Sequence, residues 1–537
     1  MCFTRFVSIL LLATVANADG RSTIDTFSLP NHRGVEWTLP KANDAPIVVV
    51  AFLGTQCPLA KLYGPRLQQM QEEFAANGVV FVGVNSNTQD SPTEISAYVA
   101  RHKIHFPMLK DKANTLADRF GAERTPEVFV LDAERQIRYQ GRIDDQYLVG
   151  LTRDKPSSRE LHQAISQLLA GKDVDTPKTE AIGCHIGRVT KTEPTGDVTW
   201  ATHIAPIIYQ HCTECHRTGE IAPFVLEDYD DVLGWEDTIL EVIDDRRMPP
   251  WFADPKHGEF KNDARLTAQE RSLISEWVEN GMPKGDLSQL PPKPQFITGW
   301  RIPKPDQVIH FDEKPFSVPA EGVVDYQYFE VDPKWDEDKY VVATEARPDN
   351  VAVVHHIIAY VIEPKSSGRG RRRRMLVGYA PGSLPQDFTD GTAIHVKAGS
   401  KLLFEMHYTP SGTAQVDHSY IGLKFTDKKN VKRLLKGRAV ANDEFTIPPH
   451  AENFVVTATR KVPGTVKLLS MTPHMHLRGK GFRYEAKYPD GTRETLLNVP
   501  NYDFNWQLSY RLKEPKILPK GTVLVGTATY NLSLIHI

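Results

Sequence analysis

What most constrains the fold of this chain is that its apolar pattern changes twice along its length. Up to about residue 172, short Val/Ile runs alternate with helical patterns: IVVVAFL (47–53), LYGPRLQQMQEEFAA (62–76), VVFVGVNSN (79–87), a helix near 92–102, EVFVLD (127–132) and QIRYQGRID (136–144). Strands without a polar face need cover on both sides, so residues 24–172 predict a parallel sheet between helices, an α/β domain. A polar linker follows at 173–198, and residues 199–286 lose strand alternation altogether, which predicts a small all-α domain. Within it, Thr267 can cap a last helix that Gly281 closes. The Pro-rich stretch 287–305 reads as a stiff spacer.

From 306 onward short strands separated by Gly, Pro, Asn and Asp dominate, among them YQYFEV, KYVVATEAR, VAVVHHIIAYVI, SKLLFEMHYTP, YIGLKFT, VKLLSMTPHMHL and TVLVGTATY. That spacing predicts antiparallel sandwiches, divided here into 306–432 and 433–537. The length of 537 residues agrees, since it exceeds what one core serves and calls for roughly three or more domains. A net charge of −3 gives no case for nucleic-acid binding. The basic run GRGRRRR (368–374) reads as a solvated loop between strands, with an anionic docking site as the minority reading.

The N-terminus carries Arg5, the apolar run FVSILLLATV and then Ala16-Asn17-Ala18. This is the pattern of a secretory signal over 1–18, cut after Ala18, and the run is shorter than the ~20 apolar residues of a membrane span. The expectation is an exported protein, periplasmic or extracellular, with no transmembrane segment after the signal is removed. Loss of Cys2 with the signal leaves Cys57, Cys184, Cys212 and Cys215.

Cys212-Thr-Glu-Cys215-His216 is the attachment pattern of covalent haem c, with two thiols for thioethers and the adjacent His216 for the iron. A structural zinc site would need a second compact Cys/His pair, and only Cys57 and Cys184 remain. Met248 in DDRRMPPW is the expected sixth ligand, because two prolines hold the preceding chain extended; Met282, whose bland reading is helix-end packing, is the runner-up. The segment resembles a small cytochrome c domain, which implies electron transfer.

Cys57 ends a buried strand and precedes a helix that begins at Pro58, where the helix dipole stabilises a thiolate. With Thr125-Pro126 before EVFVLD, residues 24–172 resemble the thioredoxin-like and peroxiredoxin-like redoxins, in which that proline faces the active cysteine. Ala60 stands where a second Cys-x-x-Cys cysteine would be, and Thr55 is out of step with a Thr-x-x-Cys pattern. Cys57 and Cys184 are left as a resolving couple, a static disulfide or an inert pair.

His474 and His476 in TPHMHLRGKG are two apart, so on a strand they share a face, either as ligands or as hydrogen-bonded surface histidines. The adjacent His355 and His356 of VVHHIIAYVI would need a bulge to converge, yet two imidazoles among Val and Ile need some partner. His407 in LLFEMHYTPSG is a third candidate; three histidines suit copper or zinc.

These three motifs, in order and type, resemble the copper type II, ascorbate-dependent monooxygenases, the family of peptidylglycine α-hydroxylating monooxygenase and dopamine β-monooxygenase. The resemblance implies two jelly-roll-like domains with one copper each: His355, His356 and His407 at an electron-transfer site, His474 and His476 at an oxygen-activating site. The family completes the second site with a methionine further along. Here the chain ends at GTATYNLSLIHI, so the second domain is expected to be truncated and its site to lack that ligand.

The whole then resembles a redoxin fused to a cytochrome c and a copper monooxygenase-like module, a multidomain fold of α/β, all-α and all-β parts. The implied function is hydroxylation of a C–H bond of a small-molecule or peptide substrate with O2, electrons from a donor passing through the haem to two coppers. Two alternatives are a non-catalytic electron-transfer or copper-handling protein and a thiol peroxidase or oxidoreductase centred on Cys57. As catalytic candidates this leaves Cys57, His474 and His476.

Overall fold

The computed structural model describes residues 22–148, 151–364, 373–388, 390–442 and 444–533. The expected signal sequence, most of the basic run 368–374 and the last four residues lie outside the described residues. The chain forms two compact units, one of Met1–Val149 with Lys155–Val189, the other of Gly150–Asp154 with Thr190–Ile537. Among the described residues no helix is long and apolar enough to cross a membrane.

In the first unit the elements are β1 (Ile47–Phe52), α1 (Pro58–Phe74), β2 (Val79–Asn85), α2 (Pro92–Arg101), β3 (Met108–Lys110), α3 (Thr115–Phe120), β4 (Arg124–Thr125), β5 (Glu127–Leu131), β6 (Ile137–Gly141), α4 (Glu160–Leu169) and β7 (Cys184–His185). Every residue of β1 and β5 is buried, as continuous apolar runs require. Proline at the first position of α1 costs no hydrogen bond, and a capping box of Ser91 with Glu94 starts α2.

The five-stranded sheet runs β3-β2-β1-β5-β6. β1, β2 and β3 are parallel, but β5 pairs antiparallel with β1 and β6 antiparallel with β5, so the sheet is mixed where a parallel one was predicted. Apolarity on both faces reports two-sided cover, not strand direction. The tight turn at Asp132–Gln136, with Arg135 at φ 62° and its N–H on Asp132 O, makes β5 and β6 a hairpin.

From Thr190 onward the second unit is first helical, with no strand element between 199 and 286 among the described residues. α5 (Ala205–His211), α6 (Glu236–Asp244) and α7 (Ala268–Glu279) surround a core in which Trp200, Tyr229 and Trp277 pack at 6.0–6.3 Å between ring centroids. Thr267 caps α7 in a box with Glu270, and Gly281 follows at φ 74°, as the sequence predicts.

Strands then take over: β8 (Gln327–Val331), β9 (Lys339–Arg347), β10 (Val354–Ile362), β11 (Arg373–Tyr379), β12 (Lys401–Tyr408), β13 (Tyr420–Phe425), β14 (Phe454–Lys461), β15 (Val466–Met471), β16 (Gly479–Lys487), β17 (Arg493–Val499), β18 (Tyr510–Leu518) and β19 (Val523–Tyr530). One antiparallel sheet has the order β8-β12-β10-β11, and β9 and β13 pair in a second; Val341, Ile357, Leu402, Phe404, Ile421 and Leu423 from the two share one core. A further four-stranded sheet runs β14-β19-β16-β17, with β15 and β18 paired beside it.

Candidate thiol and metal centres

Cys57 lies at the start of α1 and is 1% exposed. Its thiol donates to the carbonyl of Thr125 at 2.9 Å, and the Thr125–Pro126 peptide is cis, so the proline loop does face this cysteine. On the other side of Thr125 runs β7, in which Cys184 is the direct antiparallel partner of Thr125. Burial pushes the Cys57 thiol up, but hydrogen bonds from the Cys184 side chain and backbone, from Ala60 N–H and from Thr125 outweigh it and bring it down to about 6. Neither cysteine is in a disulfide here. The two cysteines are neighbours on either side of Thr125.

Cys212, Cys215 and His216 sit on one turn after α5, held by Cys215 N–H and His216 N–H on Cys212 O. Burial pushes both thiols up, to about 12 at Cys212 and about 11 at Cys215. His216 meets the carbonyl of Phe224 through Nδ1 at 3.1 Å, and burial lowers its pKa. A neutral imidazole whose Nδ1–H is held by a carbonyl presents Nε2 to a metal, so these three residues fit a covalent haem. The two methionines are placed differently. Met282 is 2% exposed at the end of α7, its N–H on Trp277 O, which is the helix-end packing role. Met248 lines a cavity of about 1030 Å³ with His211, Trp251 and Phe252, and His216 is not part of that lining.

The histidine strands carry the bulge that the sequence demanded. In the β10–β12 ladder His356 faces His407, while the register slips between Val354 and His356, leaving His355 as the extra residue. The slip turns His355 to the same side as its neighbour. His355 Nδ1 lies 3.2 Å from His356 Nδ1 and 3.2 Å from His407 Nδ1, and the ligand atoms of all three fall within 4.8 Å of one another. Three imidazole nitrogens about 2.0–2.1 Å from one tetrahedral ion stand roughly 3.3–3.4 Å apart, so the spacing suits a metal. Burial lowers all three, His355 to about 3, His356 to about 2 and His407 to about 4, which keeps them neutral and able to ligate. The buried Nε2 atoms of His355 and His356 find no protein partner.

His474 and His476 are not on a strand. They lie in the irregular link between β15 and β16, although the alternation persists, with Pro473 and Met475 buried and both histidines exposed. Their rings stand at 88° with centroids 5.3 Å apart. His474 Nδ1–H donates to Gln507 Oε1 at 2.7 Å, which leaves Nε2 as its ligand atom. Met475, on the opposite side, has its backbone pinned by the Tyr502 hydroxyl; Met471 is packed in the core of that sheet.

Three residues that the sequence did not single out complete the neighbourhood: Tyr326, Phe504 and Gln507. Tyr326 stacks on His407 at 4.8 Å and lies 6.3 Å from His476, so its ring is close to both histidine groups. Phe504 stacks on His355 at 5.7 Å. No motif marks them, because each acts through a contact distant in sequence.

Comparison with known proteins bears on the first unit. Residues 21–140 match the AhpC/TSA family. A thiol-disulfide oxidoreductase, ResA, from Halalkalibacterium halodurans is 26% identical over 90 residues, 17% of this chain and 50% of that protein, so the match spans half the length of this curated relative. A hypothetical protein from Sinorhizobium meliloti is 31% identical over 32% of this chain and 94% of its own, with a TM-score of 0.30. Peroxidoxin BcpB from Mycobacterium tuberculosis is 20% identical over 28% of this chain and 93% of its own, with a TM-score of 0.22. The chain is therefore a multidomain protein whose residues 21–140 form a thioredoxin-like redoxin domain of the AhpC/TSA family.

Proposed function

We propose that this chain is an exported oxidoreductase whose first unit carries a thiol-disulfide couple of Cys57 and Cys184. The observation that carries this reading is the placement of Cys184 opposite Thr125, where its thiol and backbone N–H reach the Cys57 sulfur. The match to the AhpC/TSA family and to a thiol-disulfide oxidoreductase supports it. A lone Cys57 with Ala60 in place of a second motif cysteine cannot cycle by itself, and Cys184 supplies the second thiol from a strand far along the chain. Redox titration of the full chain in glutathione buffers, read by peptide mass, is expected to give a Cys57–Cys184 disulfide. Both residues staying as thiols over the whole range would overturn this. Consumption of peroxide lost in Cys57→Ser would identify the oxidant as a peroxide.

The second unit has a reading of its own, favoured by the convergence of three neutral imidazoles at the bulge. His355, His356 and His407 would hold copper, and His474 with His476 a second copper, in a monooxygenase-like module; Cys212, Cys215 and His216, with Met248 as the expected sixth ligand, would hold haem. Bound there, copper and haem iron supply one-electron couples. The chain's own part is to keep the imidazoles neutral, fix their tautomers through Phe224 and Gln507, and set Tyr326 close to both histidine groups. Two coppers and one haem per chain on metal analysis, with oxygen uptake abolished in His474→Ala, are the expected outcomes. Zinc or a single copper would remove the monooxygenase reading and leave electron transfer or copper handling.

A further inference from the structure

We infer that Cys184, not Cys57, is the sulfur that external partners attack, and that Cys57 is the buried leaving group behind it. This rests on the dithiol reading above and reverses the role that position at a helix start suggests for Cys57.

Access is the first ground. Cys57 is 1% exposed, whereas Cys184 is only half-buried. Against Cys57 lies Cys184, carried on the strap from Gly183 to Val189, which is fastened on both sides of Cys184. Arg124 Nη1 donates to Gly183 O at 2.9 Å, Ile186 N–H to Glu123 O at 2.9 Å, Gly187 N–H to Asn87 Oδ1 at 3.1 Å and Val189 N–H to Asn114 Oδ1 at 2.8 Å. Gly183 makes the approach possible: a Cβ there would stand 2.0 Å from Thr125 O. Because β7 already pairs with the backbone of β4, that edge is closed to a partner peptide.

The chemistry is the second ground. A thiolate opens a disulfide by attacking the sulfur it can reach, and the lower-pKa sulfur leaves faster. On the Cys57–Cys184 disulfide, a partner thiolate forms a new S–S bond to Cys184 Sγ. The Cys57–Cys184 bond breaks, and its electron pair departs on Cys57. A second partner thiol then attacks the mixed disulfide, giving the partner disulfide and a Cys184 thiolate that takes a proton from solvent. Two electrons enter the protein and one partner dithiol, or a pair of monothiols, is oxidised. The Cys57 hydrogen-bond donors suit a leaving thiolate: Cys184 N–H and Ala60 N–H stay in place when the bond opens.

The test treats the full-length Cys57→Ser and Cys184→Ser proteins with glutathione disulfide and locates the adduct by peptide mass, scoring the peptide of Cys212 and Cys215 separately. Cys184 in Cys57→Ser should gain glutathione at least about ten-fold faster than Cys57 does in Cys184→Ser. An equal or faster rate at Cys57 would overturn the inference while leaving the dithiol reading intact. Failure of the oxidised wild-type chain to show a Cys57–Cys184 disulfide would overturn both. Gly183→Ala added to Cys184→Ser should raise the rate at Cys57, since it lifts the strap; no change would count against the strap as the cover.

Discussion

His356 stands directly opposite His407 across the β10–β12 ladder, and the bulge beside that pair adds the ring of His355 to the same point. A regular strand would have sent His355 to the other face of the sheet. The bulge thus converts an adjacent pair, which alternation separates, into two thirds of a metal-binding cluster. Alanine at His355, His356 or His407 should therefore weaken copper binding by more than the roughly 10–100-fold that loss of an outer-shell partner costs. His310 and His418, stacked at 4.1 Å elsewhere in the same unit, serve as the control, and their alanine variants should bind copper as wild type does. Isothermal titration with Cu(II) under each variant measures this. Copper at a hundred times its Kd should also stabilise the wild-type unit by about 2.7 kcal/mol.

The same three rings make the metal-free unit sensitive to acid. Their folded pKa values, about 3, 2 and 4, lie below the ordinary histidine value of 6.5. The unfolded chain therefore binds more protons than the folded one between these limits. Their contribution is intact above about pH 6.5 and is lost as pH falls toward 3, at up to about 1.4 kcal/mol per pH unit for each ring. Urea midpoints at pH 7.5 and 5 should differ less in His356→Gln than in wild type. Identical pH dependence in the two proteins would exclude these rings as the cause.

Much of this was legible before the structure. The run IVVVAFL is a strand because six consecutive buried residues need cover on both faces, and Cys57-Pro58 marks a helix start because proline is tolerated there. KYVVATEAR is β9 to the residue. Strand direction was not legible: β5 runs antiparallel to β1, and a run buried on both faces carries no mark of direction. TPHMHL reads as strand because polar and apolar residues alternate, but the link keeps the alternation of burial without a ladder. Tyr326 hides inside an ordinary strand pattern, and Gln507 lies 33 residues from the histidine it holds.

Cys57 should titrate near pH 6 in the reduced Cys212→Ser, Cys215→Ser protein, in which Cys184 is retained, and thiolate absorbance at 240 nm compares it with the same protein carrying Cys184→Ala as well. Burial alone would raise this thiol; the donors around it lower it, and Cys184 supplies two of them. Removing the Cys184 side chain should move the titration upward. A thiol lowered on folding stabilises the fold fully above its unfolded value near 9, and that stability is lost as pH falls through 6. The reduced first unit should accordingly be more stable at pH 9 than at pH 6, with the difference abolished in Cys57→Ser.

His216 is oriented by a carbonyl, so its role is separable from that of the thiols beside it. Coexpression with a haem-attachment system should give one covalent haem per chain, counted by pyridine haemochrome absorbance. Cys212→Ser and Cys215→Ser should each lose covalent attachment. His216→Ala should instead alter the Soret band, because the imidazole that faces Phe224 O is the one free to bind iron through Nε2. An unchanged spectrum in that variant would assign the ligand elsewhere.

Gln507 is the residue that ought to report on the second histidine site without touching a metal. Its Oε1 accepts the Nδ1–H of His474 at 2.7 Å, which fixes the ring and its tautomer. Tyr326 approaches His476 from the side of the three-histidine cluster. Gln507→Ala would leave both imidazoles present while freeing His474 to rotate and to exchange tautomers. If His474 Nε2 ligates a copper, affinity at that site should fall about 10–100-fold, while the His355, His356 and His407 site keeps its own. Gln507→Glu, which retains an acceptor in the same place, should restore most of the loss. Copper titration resolved into its two stoichiometric steps distinguishes these outcomes. Equal loss at both sites, or none at either, would show that the hydrogen bond from His474 to Gln507 serves folding of the link rather than the metal.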